Sequence, residues 1–331
     1  MGNYPEIRLR RNRQHPWLRE LVAETTISAK DLVLPLFVIE GDNIREPVLT
    51  MPGVERLSID QLVIDVKRAE RAGILAVILF PVINSSIKSE LAEESYNHNN
   101  LICRAIKELK KHISIGIFAD VALDPYTTHG HDGLVIDGYV HNDKSIEVLC
   151  KQAIALAQAG CDFVAPSDMM DGRVESIRTA LDSKNFQNVG ILAYSAKYAS
   201  SFYGPFREAV NSGESLGKSD KFTYQMDTRN AEEAMREIEL DIKEGADMIM
   251  IKPALAYLDI IRMANDRFKL PIVAYQVSGE YAMLKLAAAN GLIDFDKAMM
   301  ESLIAIKRAG AQIILTYAAM NVVEKLCKNT L

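Results

Sequence analysis

The chain has 331 residues, of which 49% are hydrophobic and 25% are charged, and its formal net charge at pH 7 is −6. These values predict a soluble globular protein large enough for one barrel or two ordinary domains. They exclude a general basic field for nucleic acid or anionic lipid, and no apolar run is long enough to cross a bilayer. The four scattered cysteines indicate buried thiols in a reducing compartment, so we expect a cytoplasmic protein.

Residues 1–30 form the first segment, which contains four arginines before Trp17. The segment is too short and too basic to form a core of its own. One interpretation is a solvated tail, and the other is an N-terminal arm that packs on a neighbouring subunit. The apolar side chains favour the arm because they need cover from water: Trp17, Leu18, Leu21 and Val22.

Short apolar runs alternate with amphipathic segments along the rest of the chain. Eight of these runs have the length and composition of buried strands: 32–40, 75–82, 113–121, 163–167, 189–195, 248–254, 271–277 and 311–319. Helical patterns lie between them, for example over 58–73, 144–160 and 230–247. The second pattern ends at Gly160, a favourable C-cap, and the third offers Asn230 as an N-cap.

Eight strands that alternate with helices predict an α/β fold with a parallel sheet. Their number favours one closed (β/α)8 TIM barrel over 31–331 rather than an open doubly wound sheet, and no G-x-G-x-x-G motif follows the first strand. Residues 198–228 interrupt the pattern with a long polar loop after the fifth strand. Such loops in compact domains are usually functional or disordered, and the aromatic and basic side chains here favour an active-site lid.

In a barrel of this kind the chemistry lies at the carboxyl ends of the strands. Two of these ends lead to Lys197 and Lys252, which would face one mouth, where burial and a second cation lower the pKa of an amine. A free amine attacks a carbonyl group to form a Schiff base. For Lys252 alone, the alternative is a structural salt bridge to a strand-end carboxylate. The other strand ends supply Asp120, Asp124, Ser167, Asp168, Ser278 and Tyr317.

Five linked motifs run through the chain in order: DVALDPYTTHGHDG, AYSAKYASSFYGPFREA, KFTYQMD, MIMIKPA and YQVSGEYAM. Together they resemble the porphobilinogen synthase (5-aminolevulinate dehydratase) family, and the similarity spans nearly the whole chain. The resemblance implies a (β/α)8 barrel with an N-terminal arm. It also implies the condensation of two 5-aminolevulinate molecules to porphobilinogen, in tetrapyrrole biosynthesis, by a homo-octamer built from arm-exchanging dimers.

The same resemblance assigns roles to individual residues. Lys252 would form the Schiff base with the first substrate at the P site, and Lys197 would bind the second substrate at the A site. Asp120 would act beside them as a proton carrier or as an electrostatic partner of the iminium. The implied substrate-binding residues are Ser278 and Tyr317 for the P-site carboxylate, Arg207, Lys221 and Gln225 for the A-site carboxylate, and Ser167 and Phe206 in the same pocket.

The first of the five motifs departs from the zinc-dependent members of the family, which carry three cysteines across it. This chain has Ala122, Asp124 and Asp132 there, and carboxylates suit a hard cation better than they suit zinc. The resemblance is therefore to the aspartate-rich, magnesium-stimulated branch, with no zinc and no organic cofactor expected. Glu237 would hold an activating, allosteric Mg²⁺, although a lone helical glutamate is also typical of a solvated surface, and Asp124 and Asp132 are weaker metal candidates.

Three other readings of the sequence stay open. One is another class I Schiff-base aldolase of the barrel type, which needs one reactive lysine. A second is a non-catalytic assembly scaffold that uses the arm. The third is a metal hydrolase built on Asp120, Asp124, His129 and His131, although two histidines in a Gly-flanked loop more often form loop hydrogen bonds than bind metal.

Overall fold

The computed structural model of the chain describes residues 3–210 and 220–328. Eight parallel strands form a closed ring in which each strand pairs with the next in the chain, and the eighth pairs with the first through Leu32 and Ile314. The barrel strands are β1 Leu32–Val38, β2 Ala76–Pro81, β3 Gly116–Val121, β4 Phe163–Pro166, β5 Gly190–Lys197, β6 Met248–Lys252, β7 Ile272–Gln276 and β8 Ile313–Thr316. The predicted (β/α)8 barrel is confirmed.

Helices follow the strands and cover the outside of the ring. The described α-helices are α1 Pro16–Leu21, α2 Ile59–Arg71, α3 Leu101–Leu109, α4 Asn142–Ala159, α5 Arg173–Ser183, α6 Gly204–Ala209, α7 Glu232–Lys243, α8 Leu258–Arg267, α9 Ser278–Ala289, α10 Phe295–Ala309 and α11 Ala319–Lys328. Every residue of β1 and β2 is buried, as expected for parallel strands enclosed between the barrel interior and the helices. This burial explains why the strands are continuous apolar runs in the sequence.

Two predicted helix ends were tested by the structure. Helix α4 ends at Gly160, whose φ of 100° is the left-handed conformation that suits a glycine C-cap. Helix α7 begins after Ala231, so the prediction of Asn230 as its N-cap was wrong. The Asn230 side chain instead donates a hydrogen bond of 2.7 Å to the Glu233 carboxylate.

The strands are shorter at their carboxyl ends than the apolar runs suggested. Asp124, Ser167 and Asp168 lie in the loops that follow β3 and β4, and Tyr317 follows β8. Ser278 is the first residue of α9. The apolar runs extend beyond the last ladder hydrogen bonds because the loops at this rim also pack into the core. The candidate residues therefore lie on the rim of the barrel, as expected, but mostly outside the strands.

A one-residue register shift interrupts the ladder between β5 and β6. Ile249 pairs with Ala193, whereas Ile251 pairs with Ala196, so β5 contains one additional residue over this interval. As a result Lys252 pairs with Lys197. Such irregularities redirect side chains and are common beside active sites.

Two segments lie apart from the regular barrel. The described part of the arm contains a 3-10 helix, Leu9–Arg13, and α1, and its apolar side chains are exposed in the single chain: Leu9 72%, Trp17 64% and Leu21 74%. The predicted lid, 198–228, begins with a 3-10 turn, Ser201–Tyr203, and α6 rather than with irregular loop. Residues 211–219 of the lid lie outside the described residues. Within the described ranges, no helix has the length and hydropathy needed to cross a membrane.

Candidate active site

Lys252 ends β6, and its amine is enclosed by aromatic rings. Four ring centroids lie 4.7 to 5.3 Å from Nζ, those of Tyr194, Tyr203, Phe206 and Tyr275. The lysine is 6% exposed, and Nζ makes no hydrogen bond or ion pair with any residue in the ranges 3–210 and 220–328. Lys252 therefore does not form the alternative, a structural salt bridge, with any of the described residues.

The protonation of Lys252 follows from this environment. Burial lowers the pKa of Lys252 to about 7, and the positive charge of Lys197 on the neighbouring strand acts in the same direction. The carboxylates in the pocket oppose the decrease only in part. At neutral pH a large fraction of the amine is uncharged, which is the form that attacks a carbonyl group.

Lys197 differs from its neighbour because its amine is paired. Its Nζ lies 3.2 Å from Oδ1 of Asp132 and also donates a hydrogen bond to the carbonyl oxygen of Ser167. Asp132 forms a second ion pair, of 2.8 Å, with Lys221. Burial alone would raise the pKa of Asp132, but the charges of the two lysines outweigh it and hold that pKa well below its usual range. Asp132 is thus an ionised bridge between the two ammonium groups.

Lys221, near the carboxyl end of the predicted lid, belongs to the same network. It is 7% exposed and pairs with Asp124 at 3.3 Å as well as with Asp132. Burial lowers the pKa of Lys221, but the two carboxylates reverse the effect and raise it overall. Two buried carboxylates therefore balance the two ammonium groups of Lys197 and Lys221.

Asp120 lies on β3 and faces the same pocket. Burial and the charge of Asp124 raise the pKa of Asp120 to about 7, although Lys197 and Lys252 act against the increase. Its Oδ1 is buried and has no hydrogen-bond partner among the described residues. A carboxyl group that titrates near neutral pH can both donate and accept a proton, as a general acid and base must.

The predicted P-site residues lie around Lys252. Ser278 is 1% exposed, and its hydroxyl accepts a hydrogen bond of 3.0 Å from the amide of Phe206 and donates one of 3.3 Å to the carbonyl of Phe202. Tyr317 shares a 2.7 Å hydrogen bond with the hydroxyl of Tyr275, one of the rings beside Lys252. Ser278, Phe206 and Tyr317 are thus on the Lys252 side of the site.

The predicted A-site residues lie around Lys221. Arg207 is half-buried on α6, and its charge acts on the amine of Lys221. Gln225 is 4% exposed, and its Oε1 has no hydrogen-bond partner among the described residues. Ser167 connects the two sides, because its carbonyl accepts from Lys197 and its hydroxyl stabilises the Asp120 carboxylate.

The two aspartates at the zinc-cysteine positions are engaged by lysines. In the described ranges, no group of three or more His, Cys, Asp and Glu residues has a metal-binding arrangement. The nearby histidines form loop contacts: the amide of His131 donates to Nδ1 of His129 at 3.2 Å, and Nδ1 of His131 lies 3.1 Å from the hydroxyl of Tyr224. The metal role of Asp124 and Asp132 stays a prediction, with their oxygens already facing ammonium groups.

Glu237 lies away from the lysines, on α7, where it lines a cavity of about 300 Å³. The same cavity is lined by Asp171, Asp227 and Glu233. Burial raises the pKa of Glu237, although the charge of buried Arg173 opposes the increase. The Glu237 side chain makes no hydrogen bond with the described residues. A half-buried carboxylate among other acids suits a hydrated Mg²⁺, which proteins often hold through one or two carboxylates and water.

Sequence reasoning missed several residues of this site. The three tyrosines around Lys252 come from β5, the lid and β7, and no local motif marks them as neighbours. Glu280 was missed as well: it is 1% exposed and accepts backbone hydrogen bonds from Val277 at 2.6 Å and from the loop after Lys252. Its carboxylate caps the start of α9, but Val277 stands where a capping box has Ser or Thr, so the sequence lacked the pattern that would have marked Glu280.

The fold and the pocket define a class of protein, a (β/α)8-barrel enzyme with a buried lysine amine at the carboxyl rim of its strands. A family model described as delta-aminolevulinic acid dehydratase matches residues 6–325. The chain is 54% identical over 321 residues to the delta-aminolevulinic acid dehydratase of Bradyrhizobium diazoefficiens, covering 97% of this chain and 91% of that protein. It is 53% identical over 323 residues to the chloroplastic enzyme of Glycine max, covering 97% and 78%.

The crystal structure of the Toxoplasma gondii enzyme, in complex with the reaction product porphobilinogen, is similar with a TM-score of 0.95 and 48% identity. The match covers 98% of this chain and 92% of that one. The chain belongs to the delta-aminolevulinic acid dehydratase family. The family and the dehydratase activity that the resemblance of the five motifs implies are thereby confirmed.

The low pKa of Lys252 leads to a prediction about stability. Lys252→Met should raise the free energy of unfolding by roughly 2–4 kcal/mol near pH 7, because it removes a buried amine that binds its proton weakly. The pKa of this lysine is about 7 in the folded chain and about 10.4 when unfolded. Its destabilising effect is therefore full below about pH 7, decreases as the pH rises and disappears above about pH 10.5.

Urea unfolding of both chains at about pH 6, 7.5 and 10.5 measures this gain. Lys184→Met, a change at an exposed lysine, is the matched control and should leave stability nearly unchanged. A Lys252→Met chain that is less stable than the unmodified chain at pH 6 would contradict the assignment of a weakly basic amine.

Proposed function

We propose that two lysines divide the dehydratase reaction, the condensation of two 5-aminolevulinate molecules to porphobilinogen, between them. Lys252 binds the first substrate and Lys197 binds the second. The observation that carries this proposal is that two lysines in different states lie side by side on neighbouring strands. The amine of Lys252 titrates near neutral pH and has no ion-pair partner among the described residues, whereas the amine of Lys197 is ion-paired with Asp132. Lys252 can attack a ketone directly, whereas Lys197 must first leave Asp132 and lose a proton, so Lys252 reacts first.

The reaction forms one carbon–carbon bond and one carbon–nitrogen bond and releases two molecules of water. A Schiff base makes the former ketone carbon more electrophilic, or makes the neighbouring carbon more acidic. Each amine activates one ketone in this way, so two ketones require two amines. The proton transfers need a group that titrates near neutral pH, and Asp120 is such a group. We therefore assign Asp120 as the proton carrier beside Lys252.

Each substrate also carries a carboxylate, and the two sides of the pocket offer donors for it. Ser278 and Tyr317 provide hydroxyl groups on the Lys252 side. Arg207, Lys221 and Gln225 provide charged and amide donors on the Lys197 side, where the second carboxylate would compete with Asp124 and Asp132 for Lys221. A lid that brings these donors over the pocket would also exclude water from the imines.

An activating Mg²⁺ at Glu237 is the second part of the proposal. The support is the acidic cavity around Glu237 and the absence of a hydrogen-bond partner for this carboxylate among the described residues. The ion would offset the repulsion among Glu237, Asp171 and Glu233 without touching the lysines. Its effect on the reaction would then be allosteric.

Assembly through the arm is the third part. The exposed apolar side chains of the arm support a contact with a partner subunit, which would remove them from water, and we infer the homo-octamer of arm-exchanging dimers from the family resemblance. The four cysteines are all free thiols, three of them wholly or partly buried, which suits a cytoplasmic protein: Cys103, Cys150, Cys161 and Cys327.

The assignment of the two lysines is tested by trapping with borohydride. In the unmodified chain, 5-aminolevulinate and borohydride should label Lys252, because the reduced Schiff base is stable and can be located by peptide mass spectrometry. Lys197→Ala should keep this label and lose formation of the product that reacts with Ehrlich's reagent. Lys252→Ala should lose both, whereas Lys184→Ala should lose neither, and a label placed elsewhere would refute the assignment.

The role of Glu237 is tested by metal titration. Glu237→Gln should reduce turnover in Mg²⁺ to the level of the EDTA-treated unmodified chain, because the amide provides no charge for the ion. Glu232→Gln, at an exposed glutamate on the same helix, should keep its response to Mg²⁺. Full stimulation of the Glu237→Gln chain by Mg²⁺, or stimulation of the unmodified chain by zinc alone, would count against the proposal.

The arm is tested by measuring molecular mass with light scattering. Replacing Trp17 and Leu21 together by serine should yield smaller assemblies, because the arm would lose the apolar area that it buries on a partner. Glu20→Ser, on the same segment, should leave the assembly unchanged. An unmodified chain that runs as a monomer, or a double variant that remains octameric, would contradict the arm contact.

A further inference from the structure

On the Lys252 side of the pocket, two buried polar atoms have no hydrogen-bond partner among the described residues, the hydroxyl of Tyr194 and Oδ1 of Asp120. Tyr194 is 0% exposed. Its ring centroid lies 5.3 Å from Nζ of Lys252, and the charge of Asp120 acts on its hydroxyl. A buried donor without a partner costs free energy, and such groups are rare except where a ligand or water completes them.

The other tyrosines beside Lys252 are already engaged. The hydroxyl of Tyr203 donates a hydrogen bond to the carbonyl oxygen of Lys252 at 3.1 Å, and the hydroxyls of Tyr275 and Tyr317 share a hydrogen bond. Among the described residues, Tyr194 is therefore the tyrosine of the aromatic enclosure whose hydroxyl has no hydrogen-bond partner.

Local structure holds Tyr194 in this position. The register shift lies within the same part of β5, and it allows Tyr194 and Lys197, three residues apart, to contact one pocket. The carbonyl oxygen of Tyr194 accepts a hydrogen bond of 3.3 Å from Arg173, whose guanidinium is buried and paired with both oxygens of Asp241. The ion pair of Arg173 and Asp241 thus holds the backbone of Tyr194 in place.

We propose that Tyr194 is a further catalytic residue, whose hydroxyl donates a hydrogen bond to the ketone oxygen of the substrate that reacts with Lys252. The inference rests on the proposed function, because it needs a ketone at Lys252. In this role the hydroxyl polarises the carbonyl group, and negative charge that develops on the oxygen during attack strengthens the hydrogen bond. Burial keeps the pKa of Tyr194 well above its usual range, so the hydroxyl remains a donor.

The step balances with Asp120 as the proton carrier. The lone pair of Nζ forms a bond to the ketone carbon, the carbonyl π electrons move to oxygen, and that oxygen takes the proton of the Asp120 carboxylic acid. The nitrogen then returns a proton to Asp120. Asp120 donates it again to the hydroxyl group, water leaves, and the nitrogen lone pair forms the C=N bond of an iminium ion that faces the Asp120 carboxylate.

The test variant is Tyr194→Phe, and the probe is levulinate, a keto acid without the amino group, so that only imine formation is observed. The rate of borohydride-trapped labelling of Lys252 should fall about tenfold or more, because one hydrogen bond to the reacting oxygen is lost. The dissociation constant of levulinate should change little, since Ser278 and Tyr317 are intact. The melting temperature should stay the same or rise, because the change removes an unpaired buried hydroxyl.

Tyr281→Phe is the matched control. Its hydroxyl is engaged outside the pocket, where it donates to the carbonyl of Pro52 at 2.8 Å, so its removal should lower the melting temperature and leave the labelling rate unchanged. A labelling rate for Tyr194→Phe within twofold of the unmodified chain would overturn the inference. So would a loss of melting temperature as large as that of Tyr281→Phe, which would mean that the hydroxyl already has a partner.

The failure of the proposed function is visible separately. If the unmodified chain is not labelled on Lys252, the assignment of the lysines fails and this inference fails with it. If the unmodified chain is labelled and Tyr194→Phe is labelled equally fast, only the role of Tyr194 fails.

Discussion

The site depends on one amine, that of Lys252, which is buried among aromatic rings and has no ion-pair partner in the ranges 3–210 and 220–328. Asp132 and Asp124 pair with Lys197 and Lys221, so neither of these carboxylates forms an ion pair with Lys252. Burial raises the pKa of Asp120 and lowers the pKa of Lys252, so that both groups titrate near pH 7. Lys252 and Asp120 can therefore exchange protons near neutral pH because the other charged groups of the pocket pair with one another.

The barrel maintains this arrangement at the cost of stability. A buried amine and a buried acid each lose hydration, and the hydroxyl of Tyr194 and the amide of Gln225 have atoms without partners among the described residues. Such unfavourable groups persist only where the surrounding structure is rigid. Here the rigidity comes from a closed ring of strands and from two buried polar clamps behind the pocket, Arg173 with Asp241 and Glu280 with the loop after Lys252.

The sequence was sufficient for the scaffold and for the position of the lysines, because apolar runs and strand ends are local features. Residues such as Ser167 and Ser278 were placed at the correct rim although they lie beyond the strands. The sequence could not reveal the partners of those residues. Asp132 was interpreted as a metal candidate, and its pairing with Lys197 and Lys221 joins segments that only the closed barrel brings together. The aromatic enclosure of Lys252 was missed for the same reason.

The additional residue in β5 has a consequence for how this barrel can diverge. Successive side chains of a strand face opposite sides of the sheet, so an insertion or deletion near Ala193–Ala196 would reverse every side chain that follows. Lys197 would then point toward the surrounding helices and lose contact with Asp132. The position of Lys197 therefore constrains the number of residues in this segment as well as their chemical type. Residues there can be replaced, but none can be inserted or removed without displacing the lysine.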